Sequence, residues 1–353
     1  MPAATSHLKG KVQTVLGTIE PDELGVTLIH DHLLVDVTCY CRPSPAASEQ
    51  ALANQPVSLK NLTWIRRNWT SNFDNMRLDD IDVAIEEIGH YKRAGGNTVV
   101  DVGNVGLGRD PSGLAQISRA SGLHIVMGAG YYVHQSHPAN MDDITEKQIT
   151  EEIIRDITVG VNNTGIKSGI IGEIGCSWPI TPNEHKSLKA AANAQKETGA
   201  PMSVHVGRHL DSPVQIAKDL QDWGVDISRV ALCHLDREWP ADLDKMWRLA
   251  DTGIGMELDT WGLDTWNYPL APMDRLTDAQ RIDLILMLKE RGHLKQITLA
   301  HDLGYKHRLV MYGGSGYDHL LVVGVPLMRR KGLSEEDINM MLVDNPKHLL
   351  AFV

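Results

Sequence analysis

The alternation of short apolar runs with amphipathic stretches predicts an α/β fold, a (β/α)8 barrel of one domain spanning residues 1–353. Three observations carry that prediction. Eight strand-like runs lie between Gly25 and Asp302, each followed by a helical pattern, and that alternation implies a parallel sheet. No glycine-rich loop of the dinucleotide or phosphate-binding kind opens a helix, since Gly103-Asn104-Val105-Gly106-Leu107-Gly108 has the wrong spacing for one. Several of the runs end in imidazoles and carboxylates, on the face where barrels carry their chemistry.

Residues 12–17 and 25–30 read as two strands separated by the turn signal Glu20-Pro21-Asp22-Glu23. The second brings in His30 and His32, which share a face because strand side chains alternate. On its own an H-x-H pair is more often a polar strand face than a metal site. From about 38 to 78 periodicity lapses among Pro43, Pro45 and Pro56, giving a long insertion after strand one of the kind that covers a site. Asp79 or Asp80 then caps a helix with Ile81, Ile85 and Ile88 on one face, ending at Gly95-Gly96.

Beyond it strand and helix alternate. Strands are expected at 97–102, 123–128, 168–175, 201–205, 229–234, 253–258 and 296–302. Helices are expected at 111–121, 145–162, 182–198, 213–223, 242–250 and 278–291, with a closing pair from about His319 and after Ser334. The clearest start is Thr181-Pro182-Asn183-Glu184, a capping box with proline at the first helical position.

Charge narrows the function. With 34 Lys and Arg against 45 Asp and Glu the net charge is 34 − 45 = −11, with no basic run, which argues against nucleic acid and anionic membrane surfaces as partners. No apolar run approaches the roughly 18 residues of a membrane span. Residues 1–11 lack the apolar core of a signal peptide, so the expected compartment is the cytoplasm. A homodimer is compatible with this composition. Four cysteines make no disulfide framework. Cys39 and Cys41 lack a second pair to complete a four-ligand site, and Cys176 and Cys233 read as small buried apolar residues.

The strand ends hold the candidate chemistry: His30 and His32 on the first, Glu173 on the fourth, His205 on the fifth, His234 on the sixth and Asp302 on the eighth. Each alone has an ordinary structural explanation. Together they point to a metal centre, because buried imidazoles and carboxylates must be paired or metal-bound. His301, next to Asp302, should face the helices if Asp302 faces the mouth.

The run Thr27-Leu28-Ile29-His30-Asp31-His32-Leu33, with Gly172-Glu173-Ile174-Gly175, His205, His234-Leu235-Asp236-Arg237 and Ala300-His301-Asp302, resembles the phosphotriesterase family of the amidohydrolase superfamily. Residues 11–17, 169–179 and 312–317 are similar, more narrowly, to its phosphotriesterase-related branch. The resemblance implies a distorted barrel with two divalent ions, zinc or else manganese or cobalt. His30, His32 and Asp302 would hold the inner ion, His205 and His234 the outer one, and Glu173 would bridge both. Glutamate replaces the carboxylated lysine of the bacterial phosphotriesterases, which weakens triester hydrolysis as an inference. Lys167 cannot substitute, lying about 20 Å down the strand at roughly 3.3 Å per residue.

The branch further implies hydrolysis of small anionic N-acyl substrates, N-acetyltaurine and N-acetyl amino acids, to acetate and free amine, with a hydroxide shared by the ions as nucleophile. A lactonase, an esterase or a weak phosphotriesterase on the same centre is the alternative. Asp302 is the candidate catalytic acid and base, since an amide leaving group needs a proton. Asp236 relays protons, orients a metal ligand, or simply pairs with Arg237. Arg208, Lys306 and Arg308 are candidates for the anionic tail, and Tyr131, Trp178 and Trp261 for aromatic walls.

Overall fold

The computed structural model describes residues 5–237, 242–263, 268–273 and 275–353. The first run folds back on itself, so that β1 (Val12–Thr14) and β2 (Gly17–Ile19) form an antiparallel hairpin. A single strand through Gly17 was the expectation; Thr14 prevents it. Its hydroxyl accepts from the Leu16 N–H and donates to the Gly17 carbonyl, closing a turn that hydropathy does not register.

The barrel strands follow: β3 (Thr27–Asp31), then, after the short antiparallel pair β4 (Val35–Asp36) and β5 (Arg77–Leu78) that brackets the insertion, β6 (Thr98–Asp101), β7 (His124–Met127), β8 (Ile171–Gly175), β9 (Met202–His205), β10 (Val230–Cys233), β11 (Gly255–Leu258) and β12 (Ile297–Leu299). They form two parallel arcs, β3-β6-β7 and β8-β9-β10-β11-β12. Two seams close the circle. At one, Gly169 and Ile170 N–H donate to the Met127 carbonyl and Gly172 N–H to that of Ala129; at the other, Asp302 N–H donates to the His30 carbonyl. The barrel is therefore distorted, as the resemblance implies.

Strand alternation sends Val100, Val126, Ser203, Ala231, Cys233 and Ala300 inward, while Val99, Ile125, Val204, Leu232, Met256 and Leu299 pack against the helices. Val12 of the hairpin joins the core cluster of Val100, Val126 and Ala231. Helix starts follow their caps: Asp80, not Asp79, accepts from Asp82 and Val83 N–H, and Thr181 caps Pro182–Thr198. The helix expected to 162 stops at Thr158, two residues before Gly160, whose φ of 125° no helix accommodates. None of the described helices is long and apolar enough to cross a membrane.

The insertion carries short helical turns, among them Leu62–Arg67, and is tied to the loop after β12. Lys306 pairs with Asp74 at 2.7 Å, His307 N–H donates to Asn75 Oδ1 at 2.9 Å, and Arg66 donates to the Gly313 carbonyl. Glu87, on the helix Ile81–Arg93, accepts from Val310 and Met311 N–H.

The β7–β8 seam leaves no room for a side chain at Gly128. A Cβ there would stand 2.1 Å from the Gly172 carbonyl oxygen and 2.9 Å from those of Gly103 and Val102, all backbone. Gly128→Ala should therefore destabilise the fold by about 1–3 kcal/mol, read as a lower urea midpoint at unchanged m-value; an unshifted midpoint would mean that the seam yields freely.

Candidate metal centre

All six strand-end residues converge. His30 Nε2 and His32 Nε2 lie 3.7 and 3.4 Å from Glu173 Oε1, and 3.8 and 3.6 Å from Asp302 Oδ1. On the other side, Glu173 Oε2 lies 2.8 Å from His205 Nδ1 and 3.6 Å from His234 Nε2, and those two nitrogens are 2.9 Å apart. Ligands about 2.0–2.1 Å from a tetrahedral ion stand roughly 3.3 Å from one another, so each set has close to the spacing that a shared ion imposes. The set His30, His32 and Asp302, and the set Glu173, His205 and His234, could each hold one. His30 Nε2 is buried with no hydrogen-bond partner among the described residues, as a nitrogen awaiting a ligand would be.

On His30 and His234 the outward nitrogens are also fixed. His30 Nδ1 lies 2.9 Å from Glu257 Oε2 and His234 Nδ1 2.9 Å from Asp259 Oδ1, pairings that turn each Nε2 toward the centre. His234 N–H also donates to Asp259 Oδ2, at 2.9 Å. Neither carboxylate was anticipated from the sequence. The available signal was Glu257-Leu258-Asp259 at the end of strand seven, two acids one residue apart in the same alternation as His30 and His32. His234 and Asp302 both have positive φ, 60° and 48°, a strained backbone held by these bonds and, at Asp302, by Arg308 on its carbonyl.

Burial pushes Glu173 toward its neutral form, but the charge of His30 and hydrogen bonds from His205 and His234 hold it well below the usual carboxylate range. Asp302 is lowered in the same way, burial being overridden by His234, His32 and His30. His205 goes the opposite way: burial, then the neighbouring charge of His234, keeps its imidazole neutral, the form that ligates.

Four of the six expected substrate contacts are engaged elsewhere. Tyr131 directs its hydroxyl to Glu152 at 2.7 Å, away from the cluster, and its neighbour Tyr132 faces His205 at 3.3 Å. Trp261 is fully buried, packed against Gly324 of the closing helices. Arg308 is also buried, its guanidinium donating to the carbonyls of His301, Asp302 and Trp261. Lys306 is taken by Asp74. Trp178 lies on the surface, stacked on His209 with ring centroids 4.9 Å apart. Arg208 does stand at the mouth. Asp236 pairs with Arg281 at 2.6 Å and with Thr260, not with Arg237. His301 faces the helix layer as expected, accepting from Leu320 N–H and lying 3.2 Å from Asp31.

Beside the cluster the mouth is lined by aromatic rings and cations. Tyr132 Oη lies 3.5 Å from Tyr40 Oη, and Arg208 stacks over Tyr40 at 4.9 Å. Arg208 Nε donates to Tyr268 Oη at 2.7 Å, and Arg275 stacks over the Tyr268 ring at 4.4 Å. Trp69 packs edge-on against Tyr305 and, with its ring tilted by 30°, against Tyr268. Burial raises the pKa of the Tyr268 phenol, but the charges of Arg208, Arg237 and Arg275 outweigh it and bring it down to about 7.

The model of the phosphotriesterase family matches residues 10–350. Among curated proteins, the N-acetyltaurine hydrolase of Salmo salar is 41% identical over 349 residues, covering 98% of this chain and 99% of its own. That of Dictyostelium discoideum is 39% identical over 366 residues, covering 98% of each. Among solved structures, a resiniferatoxin-binding protein from Rhodobacter sphaeroides superposes with a TM-score of 0.94 at 34% identity, covering 99% of this chain and 98% of that one.

The phenol between the two arginines gives a spectroscopic test of this electrostatic picture. Phenolate absorbance should show a step for one tyrosine centred near pH 7. The step should vanish in Tyr268→Phe and move to higher pH in Arg275→Gln, because removing a cation destabilises the phenolate. No absorbance change below about pH 9, where ordinary tyrosines begin to ionise, would refute it.

Proposed function

The chain belongs to the phosphotriesterase family, and from that footing we propose that it is a binuclear metal-dependent amidohydrolase cleaving small N-acetylated amines, N-acetyltaurine first among them, to acetate and the free amine. The observation that carries this is Glu173, whose two oxygens face two separate nitrogen sets as a bridging carboxylate would. In this assignment His30, His32 and Asp302 hold one ion, His205 and His234 the other, and Glu173 both. Zinc suits this mixture of imidazole and carboxylate, and manganese or cobalt would also be accepted. Two divalent ions held there would acidify water and polarise the acyl carbonyl.

The chain's own contribution to the reaction is then a proton carrier and a substrate wall. Asp302 is the carrier: its side chain is 25% exposed, whereas the other five are 3% exposed or less, so it alone of the six opens to the mouth. With Oδ1 turned to His30 and His32, its Oδ2 can take a proton from water and return it to the departing nitrogen. Tyr132, beside His205, closes the side of the cluster toward Tyr40. The guanidiniums of Arg208 and Arg275 at the mouth favour an anionic amide over a neutral lactone.

Zinc-loaded protein should contain about two ions per chain and release acetate from N-acetyltaurine; one ion or none by elemental analysis, or no acetate from loaded protein, sinks the proposal. Asp302→Asn should lower amide hydrolysis by roughly 10² to 10⁴ and cost an activated acetate ester much less at matched metal content, because an activated leaving group departs without a proton. Equal losses would make Asp302 a ligand only.

A further inference from the structure

Among the described residues, two of the arginines at the mouth, Arg208 and Arg275, have fewer internal acceptors than Arg281 and Arg308 nearby. Arg281 donates through Nε, Nη1 and Nη2 to Asp236, Asp278 and Thr260, and both terminal nitrogens of Arg308 donate to carbonyls, leaving only its Nε without a partner among the described residues. By contrast, Nε and Nη1 of Arg275 are shut off from solvent with no hydrogen-bond partner among the described residues. A guanidinium held in that state is costly unless something else supplies an acceptor. Arg208 has one acid-bearing contact, the Tyr268 hydroxyl, and otherwise lies against aromatic rings.

We propose that Arg208 and Arg275, one at the hydroxyl of Tyr268 and the other over its ring, seat the anionic group of the substrate, a sulfonate or carboxylate carried on the amine side of the amide. The location fits. Contacts run from His205 through Tyr132 and Tyr40 to Arg208, and on the far side Arg275 is close enough to Asp302 to feel its charge. The cluster and the pair thus open onto the same mouth. Both arginines are half-buried, so neither is sealed into the core. The planar fork of a guanidinium matches the paired oxygens of either anion, and the low dielectric of the aromatic wall strengthens the bond. The lowered pKa of Tyr268 is in keeping with the same excess of positive charge. The hydrolase reading supplies the identity of the substrate; binding of the anion itself does not depend on it.

Calorimetric titration of 1-propanesulfonate into the zinc-loaded full chain is the direct test, with N-propylacetamide as the neutral control. Binding of the sulfonate should weaken by about 10- to 100-fold in Arg275→Gln and in Arg208→Gln, the range for losing a charge-assisted hydrogen bond. Arg275→Lys, which keeps the charge without the fork, should lose less. In turnover, the ratio of kcat/KM for N-acetyltaurine, and for N-acetyl-β-alanine as the carboxylate arm, over that for N-propylacetamide should fall by the same factor, chiefly through KM. Metal content read on the same samples separates a lost seat from a lost fold. Sulfonate affinity unchanged in both Gln variants, or equal losses for charged and neutral amides, would overturn the proposal. If wild type binds propanesulfonate through these arginines yet hydrolyses no amide, the anion seat stands and the hydrolase reading falls.

Discussion

The constraint on which this molecule turns is the cost of burying charge. Five of the six converging groups are almost wholly buried, and Glu173 lies between two pairs of imidazoles that would otherwise face one another. Such a cluster is tolerable in a barrel core only where its charges are paired or ligated. The structure meets that demand in layers: Glu257 and Asp259 stand behind His30 and His234, and Ser203 donates to Glu257 from β9, two strands away across the barrel interior. The inward positions below are small, Ser203, Ala231 and Ala300 among them, which leaves space for these carboxylates inside the ring of strands.

The same accounting sorts the cations around the mouth. Arg281, Arg308 and Lys306 each have acceptors within the chain, so their charge is already answered by carboxylates, hydroxyls or main-chain carbonyls. Arg208 and Arg275 meet an aromatic wall instead, and a phenol whose pKa their charges, with that of Arg237, pull down. Proximity to the barrel mouth therefore says little about which cations a substrate meets. What each guanidinium already donates to says much more.

How far the sequence could be read depended on whether a local rule governed the feature. Period two sufficed for His30 and His32, and the count of barrel strands survived because parallel strands buried on both faces are continuous apolar runs. The same rule would have reached Glu257 and Asp259 had strand seven been followed one residue past Leu258. Tyr131 and Tyr132 show where the rule fails: they follow the end of β7, where alternation no longer determines which ring turns inward. Arg275 lies outside any periodic segment, and Asp236 finds Arg281, 45 residues away, through the fold alone. Thr14 broke a predicted strand with two hydrogen bonds.

Three consecutive residues after β12 have different attachments. Lys306 and His307 hold the insertion through Asp74 and Asn75, and Arg308 holds the carbonyl of Asp302. The covering segment and the carboxylate proposed to carry the proton are in this way joined through a span shorter than a helical turn. A change in the cover that widened or narrowed the entrance would also tilt the carboxylate beneath it. With Asp302 in the proposed role, breadth of substrate range and speed of turnover would not be independent quantities: lineages that remodel the cover should retune the rate with it, and an engineer grafting a new cover would have to carry these three residues along.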